Sequence, residues 1–347
     1  MLIVYVTSLR LPNERGISYV IVMMCQALAQ TGNTVELIVP NCRTDPAKPN
    51  ENIWQYHQIE PGTFSIIKLP FLDLPIPHLF YFILKWSFSL VAVYYLIRRK
   101  PDIVHIFNDD RESLVILKAL SWFYHPKIVF ELHILPHGFY ETLLEKVSFT
   151  RIDLLLVTTN LFAKHYEDHH FPRKKILVFP NGVELNDFDY KNNKTSFKKS
   201  LGLPQKSFIV GYAGRFITFG MEKGIPQLIQ SVAHLVKKYP YLTLVCVGGP
   251  HEYVKRYQEA AIRVGLSLKQ AIFMGDVPRK TLYKCMRSFD VCAMPFPWTQ
   301  HYAYNMSPLK MFEYMASQNP IIATDLPSVR EVIDDMETAV LVKPDSV

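Results

Sequence analysis

The chain has 347 residues, room for two domains of ordinary size with a core each. Hydrophobic residues make up 49% and charged residues 20%, which excludes a disordered chain. The net charge of +7 suits a polyanionic ligand, an anionic membrane or nucleic acid, but no zinc-finger spacing, basic heptad or aromatic sheet signature accompanies it, so nucleic acid is set aside as a partner.

Residues 2–6 read as a first buried strand without a basic leader or cleavage site, so a signal peptide is not expected and a cytoplasmic location is. Residues 12–16 form a loop and 17–30 a helix with Val20, Met24, Ala27 and Leu28 on one face, stopped at Gly32. A second strand at 35–39 completes a βαβ opening. Doubly wound folds bind ligands at the loop after the first strand, where Gly16 is either a close approach to phosphate or an ordinary turn glycine. The cysteines (Cys25, Cys42, Cys246, Cys285 and Cys292) are spaced too irregularly for a disulfide framework or a metal site, and most read as buried thiols.

Residues 79–97 approach the ~20 apolar residues of a membrane span. Lys85, Ser87 and Ser89 interrupt the run and another strand follows at 103–107, so a buried helix with one face at a membrane interface is expected. The proline-stiffened apolar loop at 70–80 and the basic run Arg98-Arg99-Lys100 favour peripheral association with an anionic membrane. Further strands fall at 128–132 and 154–157, with helices at 112–124 and 140–149. His133 ends a strand, and strand ends are where open α/β sheets place active-site groups; the alternative is an imidazole bonded to a neighbouring carbonyl. His105 and Asn108 rank behind it. Asn181-Gly182 is a turn, and the polar, basic stretch 191–204 reads as a solvated linker between domains at 1–190 and 205–347.

The pattern then restarts: strands at 208–213, 242–247, 272–274 and 291–294 alternate with helices at 227–238, 253–264 and 280–287. Arg215 and Lys223 sit in the loop after the first of these strands. In the stretch WTQHYAYNMSPLKMFEYMASQNPIIATD, Ser307 suits an N-cap and Pro308 the first helical position, which opens the helix amides to an anion such as phosphate. At about 100° per residue Leu309, Phe312, Met315 and Ala316 share an apolar face. Glu313 lies at its margin, where a partly buried carboxylate needs donors such as the hydroxyls of a ribose.

SPLKMFEYMASQNPIIATDLPSVREVI resembles the nucleotide-sugar-binding segment of the family 4 glycosyltransferases, in a variant with a SPLK-type helix start. GR-x7-KG, GDVP and ILVFPNGVELNDF resemble further segments of that family in order, so the likeness spans nearly the whole chain. It implies an α/β chain of two Rossmann-like domains facing a cleft, the GT-B architecture, with an acceptor-side domain followed by a nucleotide-sugar domain. The activity implied is retaining, metal-independent transfer of a sugar from a nucleotide-sugar donor to a glycan or lipid-linked acceptor, with no cofactor. Family mechanisms draw this as front-face transfer, a donor phosphate oxygen taking the acceptor proton. By the same resemblance Arg215 and Lys223 contact the donor diphosphate, Glu313 the ribose and His133 the sugar. Met306, Ser307, Pro308 and Leu309 lie near the phosphates, and Val277 lies against the base. The family commonly carries two glutamates separated by seven residues; Asn305 stands at the first position, a departure that bears on the donor sugar. Family members continue past the LVKPD strand, so the second domain reads as short at its C-terminus. Two other readings are a nucleotide-sugar epimerase, for which acid and base carboxylates are not assignable, and a non-catalytic sugar-nucleotide-binding scaffold, which Asn305 and the early end favour.

Overall fold

The computed structural model describes residues 1–12, 16–41, 52–57, 59–72, 77–108, 110–136, 138–188 and 191–347, with the backbone alone at 77–81. The chain divides into two compact units, Met1–Pro180 and Asn181–Val347. Apolar runs such as LIVYV are too continuous for a half-exposed strand, and they form parallel sheets covered on both faces. In the first unit the strands are β1 (Leu2–Val6), β2 (Thr34–Pro40), β3 (Ser65–Leu69), β4 (Ile103–Phe107), β5 (Lys127–Leu132), β6 (Leu154–Val157) and β7 (Ile176–Val178). They pair in parallel in the order β3-β2-β1-β4-β5-β6-β7.

The second unit repeats the plan. After β8 (Phe208–Ala213) comes a small antiparallel hairpin of β9 (Ile217–Thr218) and β10 (Met221–Glu222). Then follow β11 (Leu242–Val247), β12 (Ala271–Phe273), β13 (Val291–Met294), β14 (Ile321–Thr324) and β15 (Val340–Val342). The parallel sheet runs β12-β11-β8-β13-β14-β15. Each sheet therefore reverses its winding once, between β1 and β4 and between β8 and β13. At such a switch point the loops leaving neighbouring strands turn apart and open a crevice at their carboxyl ends.

Several expectations are corrected. The units divide after Pro180, and 191–204 belongs to the second unit instead of linking the two. Within it Lys194–Ser200 is a helix capped by Asn193, with Phe197 buried. Its lysines are not a solvated connector: Lys194 and Lys198 both pair with Asp290, at 3.2 and 2.7 Å, and that carboxylate also accepts from the Ile209 amide. The first helix begins at Gly16 and buries Ser18, Tyr19, Ile21, Val22 and Cys25, a different face from the one expected. Ile21, Val22 and Cys25 pack with Tyr5, Leu37 and Val39 of the sheet, while the Ser18 hydroxyl lies 2.8 Å from His57 Nε2. The Pro77–Arg99 helix buries Phe88, Ala92 and Leu96, and the polar residues Lys85 and Ser89 with them; Ser89 donates to Asp110 at 2.9 Å. No described helix is long and apolar enough to cross a membrane. Cys25, Cys246, Cys285 and Cys292 are buried free thiols, whereas Cys42 and residues 73–76 of the apolar loop lie outside the described residues.

Burial opposes ionisation of Asp290, but its bonds from Lys198, Ile209 and Lys194 hold the carboxyl below its ordinary range. Such a depressed acid stabilises the fold above its unfolded pKa, and the contribution is lost as pH falls through the folded value. Asp290→Ala strands the Lys198 ammonium and should cost about 3 kcal/mol at pH 7. In urea unfolding, the gap between wild type and variant should shrink as the pH is lowered below about 4.

Candidate active site

In the second unit the expected residues gather at the β8/β13 switch point. β8 delivers the chain to Gly214-Arg215, and the β9–β10 hairpin returns it to Lys223. The Lys223 amide donates to Phe216 O at 3.1 Å and its ammonium stands 5.7 Å over the Phe296 ring. Gly224 follows with φ +76°, and a Cβ there would run into the Pro295 carbonyl, so only glycine lets the loop pass this close to the residues after β13. Burial pushes the Lys223 pKa down to about 7, with repulsion from Lys310 and Arg215 adding to it.

Lys310 was not among the expected site residues. Its ammonium donates to Ala213 O and lies 4.5 Å from the Tyr212 ring centre and 5.8 Å from that of Tyr314. It fills the space that a side chain at Gly214 would need, and Gly214 holds φ +121°. Burial lowers its pKa to about 8, against a partial pull upward from Glu313. Among the described residues no carboxylate lies within ion-pair distance of Lys223 or Lys310. Buried cations in that state attract an anion strongly, because little water screens them.

The helix after β13 departs from expectation in three ways. It spans Leu309–Ala316 and is preceded by Pro308, which has no side chain to cap it. Ser307 does not cap because Asn181 holds it: the Asn181 amide donates to Ser307 Oγ at 3.3 Å and its Nδ2 to Ser307 O at 2.6 Å. The PNG turn is thus a brace for the loop through Asn305 and Met306. The buried face comprises Lys310, Met311, Glu313, Tyr314 and Ala316, while Met315 is exposed. Tyr314 sets this rotation, since its hydroxyl accepts from the Ala213 amide at 2.9 Å and donates to Ala293 O at 3.3 Å, joining β8 to β13. Third, buried Glu313 already has a donor, Arg279 Nη2, 3.2 Å from Oε1. Arg279 also packs over the Tyr283 ring and bonds its hydroxyl. It follows Gly275-Asp276-Val277-Pro278, where half-buried Val277 packs against the core. Asn305 ends the short Gln300–Tyr304 helix, its amide bonded to His301 O at 2.9 Å.

Gly16 and His133 belong to the first unit. Gly16 is the exposed first residue of its helix. His133 follows β5, with Nε2 2.6 Å from Glu131 Oε1. Glu131 Oε2 accepts from the Tyr5 hydroxyl at 2.7 Å and lies 2.7 Å from His105 Nε2. Burial alone would raise the Glu131 pKa, but hydrogen bonds from His105 and His133 outweigh it and hold the carboxyl well below its usual range. Asn108 Oδ1 takes the amides of His133 and Ile134, at 3.1 and 3.0 Å. His105 and Asn108 thus join His133 in one network, and Glu131 is its centre. A charged residue inside the buried strand KIVFEL was the available sequence signal for it.

Residues 15–187 match the family described as Glycosyltransferase Family 4, and residues 207–347 match Glycosyl transferases group 1. The phosphatidyl-myo-inositol mannosyltransferase of Mycobacterium tuberculosis is 27% identical over 169 residues, 49% of this chain and 40% of its own length. The lipopolysaccharide core biosynthesis mannosyltransferase LpsB of Rhizobium meliloti is 25% identical over 206 residues, 58% of this chain and 54% of its own. The chain thus spans about half the length of the curated relatives it matches. The solved sucrose-phosphate synthase of Thermosynechococcus elongatus shares the fold, with a TM-score of 0.74 at 20% identity over 99% of this chain and 86% of that one.

An anion brought to Lys223 must raise its pKa, so the protonated lysine binds best and affinity falls by up to roughly tenfold per pH unit above about 7. Calorimetry of a nucleoside diphosphate at pH 8, in buffers of different ionisation heat, should show uptake of about one proton or more. Lys223→Met should lose most of that uptake. Equal uptake in the two proteins would place Lys223 away from the anion.

Proposed function

The chain belongs to the family 4 glycosyltransferases, and on that premise we propose that it transfers a sugar, with retention, from a nucleotide-sugar donor to a glycan or lipid-linked acceptor. The observation that carries the reading is the group of Arg215, Lys223 and Lys310 at the β8/β13 switch point, with Lys310 buried, Lys223 half-buried and, among the described residues, no carboxylate at ion-pair distance from either lysine. Breaking the bond between sugar and diphosphate builds negative charge on the leaving group, and fixed cations in a dry site stabilise it most. In this reading Arg215 and Lys223 meet the diphosphate, with Lys310 behind them. The loop from Met306 to Leu309 lies along the phosphates, Glu313 accepts from the ribose and Val277 lines the base. His133 and Asn305 meet the donor sugar, Gly16 lies near the transferred group, and a donor phosphate oxygen takes the acceptor proton. Arg215→Ala and Lys223→Ala should each slow turnover at saturating donor by ~100-fold. A screen of UDP, GDP and ADP sugars by thermal shift selects the donor, and near-wild-type turnover in both variants would refute the reading.

The names of the two relatives, one for phosphatidyl-myo-inositol and one for lipopolysaccharide core, favour a lipid-linked acceptor. The first unit supports attachment to an anionic membrane. Phe82, Leu90 and Tyr94 form an exposed stripe on the Pro77–Arg99 helix, and Phe139, Leu143 and Val147 another on the Gly138–Ser148 helix. The two stripes join where Phe82 packs on Tyr140, with ring centres 5.6 Å apart, and where Trp86 Nε1 donates to the Tyr140 hydroxyl at 2.7 Å. A contiguous apolar surface of this kind marks an interaction site, and Arg98, Lys100 and Lys146 add positive charge on the same helices or at their ends. Each basic residue near anionic lipid adds roughly 1 kcal/mol. Wild type should float with anionic vesicles at low salt and be released at high salt, and Phe139→Ser with Leu143→Ser should abolish flotation. Flotation unchanged by that pair would assign the contact elsewhere.

A further inference from the structure

We propose that Glu131 is a positioning residue: it fixes His133 in the tautomer that carries hydrogen on Nε2 and leaves Nδ1 as the ring atom that meets the sugar. This rests on the placement of His133 at the donor sugar proposed above. The argument begins with the sheet. Tyr5 and His105 are register partners on β1 and β4, and Glu131 lies on β5, the next strand. Glu131 lies near the end of β5 and His133 just beyond it, and the two side chains meet with His133 Nε2 2.6 Å from Glu131 Oε1. The carboxylate meets three side chains there, through Oε1 to His133 and through Oε2 to His105 and Tyr5.

An ionised carboxylate only accepts hydrogen bonds. Glu131 is buried, with a side chain 5% exposed, and the bonds around it keep it ionised. Each imidazole must then present an N–H from Nε2. For His133 this leaves Nδ1 for a ligand, as acceptor from a sugar hydroxyl when the ring is neutral and as donor when it is charged. The ring has little freedom to exchange the two atoms. Its amide is held by Asn108 Oδ1, and the ring packs against Phe107 with centres 5.2 Å apart. Arg111 fixes the surrounding chain by donating to Asn108 O at 2.7 Å and to Ile134 O at 3.3 Å.

Glu131→Gln makes a sharp test, because an amide has one accepting and one donating end. Its carbonyl should turn toward the two donors, His105 and Tyr5. The amide N–H then faces His133 Nε2, which must become an acceptor, and the proton moves to Nδ1. Long-range proton–nitrogen spectra of protein labelled in histidine, with His133→Phe for assignment, read the tautomer without turnover. Wild type should show hydrogen on Nε2 and Glu131→Gln hydrogen on Nδ1. In the variant turnover should fall roughly 100-fold, with nucleoside diphosphate affinity within twofold of wild type as a check on the fold. Hydrogen on Nδ1 in wild type, which needs no variant, or hydrogen still on Nε2 in Glu131→Gln would overturn the proposal. A tautomer shift without loss of turnover would overturn instead the placement of His133 at the sugar, and this role with it.

Discussion

Two ammonium groups withdrawn from water, that of buried Lys310 and that of half-buried Lys223, with no ion-paired carboxylate among the described residues, are the constraint to which the second unit is built. Taking such a group out of water costs several kcal/mol even after relaxation, and among the described residues no carboxylate pairs with either, the pull of Glu313 on Lys310 offsetting burial only in part. Lys310 is held instead by the Ala213 carbonyl and by the faces of Tyr212 and Tyr314, partners that stabilise a cation less than an ion pair does. Lys223 has the Phe296 ring beneath it. Both lysines consequently hold their protons less tightly than free lysine.

Around these cations the local backbone is fixed by uncharged hydrogen bonds and by glycines. The Tyr314 hydroxyl joins β8 to β13 at the point where their loops part, and Asn181 braces Ser307 from a turn 126 residues earlier. Gly214 and Gly224 let Lys310 and Lys223 approach backbone that any side chain would displace. Neutral partners suit this task, since a carboxylate in their place would neutralise the charge that the site presents. Glu313 is the exception, and Arg279 pairs with it on the far side of the helix start from Lys310 in sequence. The first unit shows the opposite arrangement at Glu131, a buried carboxylate surrounded by Tyr5 of β1, His105 of β4 and His133 of the turn after β5.

Much of the parallel framework was legible from the sequence. Strands at 2–6, 103–107, 154–157, 208–213, 242–247 and 291–294 were placed with the bounds observed, because buried parallel strands are apolar on both faces and stand out as uninterrupted runs. β3, SIIKL, escaped because it lies at the sheet edge and is only partly buried. The helix Lys194–Ser200 escaped because KTSFKK reads as polar, and only Phe197 and the shared Asp290, more than 90 residues away, reveal it as packed. Helix faces were missed for a related reason. Periodicity locates an apolar stripe, but the helices at Gly16–Gln30 and Leu309–Ala316 bury polar groups whose partners come from other elements.

By itself, then, the sequence determined the two α/β units, the order of their strands along the chain and the family, with Arg215, Lys223 and Glu313 among its candidate residues. These follow from local properties: the length of apolar runs, the spacing of glycines and cations, and the residues that start helices. Tertiary structure alone decided that Lys310 is a buried cation, that Arg279 holds Glu313, that Asn181 braces the helix start and that Glu131 sits between two imidazoles and a phenol. Each of these depends on groups from different elements of the fold being packed together. A lysine or a glutamate has the same letter in water and in such packing, and only the packing of the strands brings its partner within bonding distance.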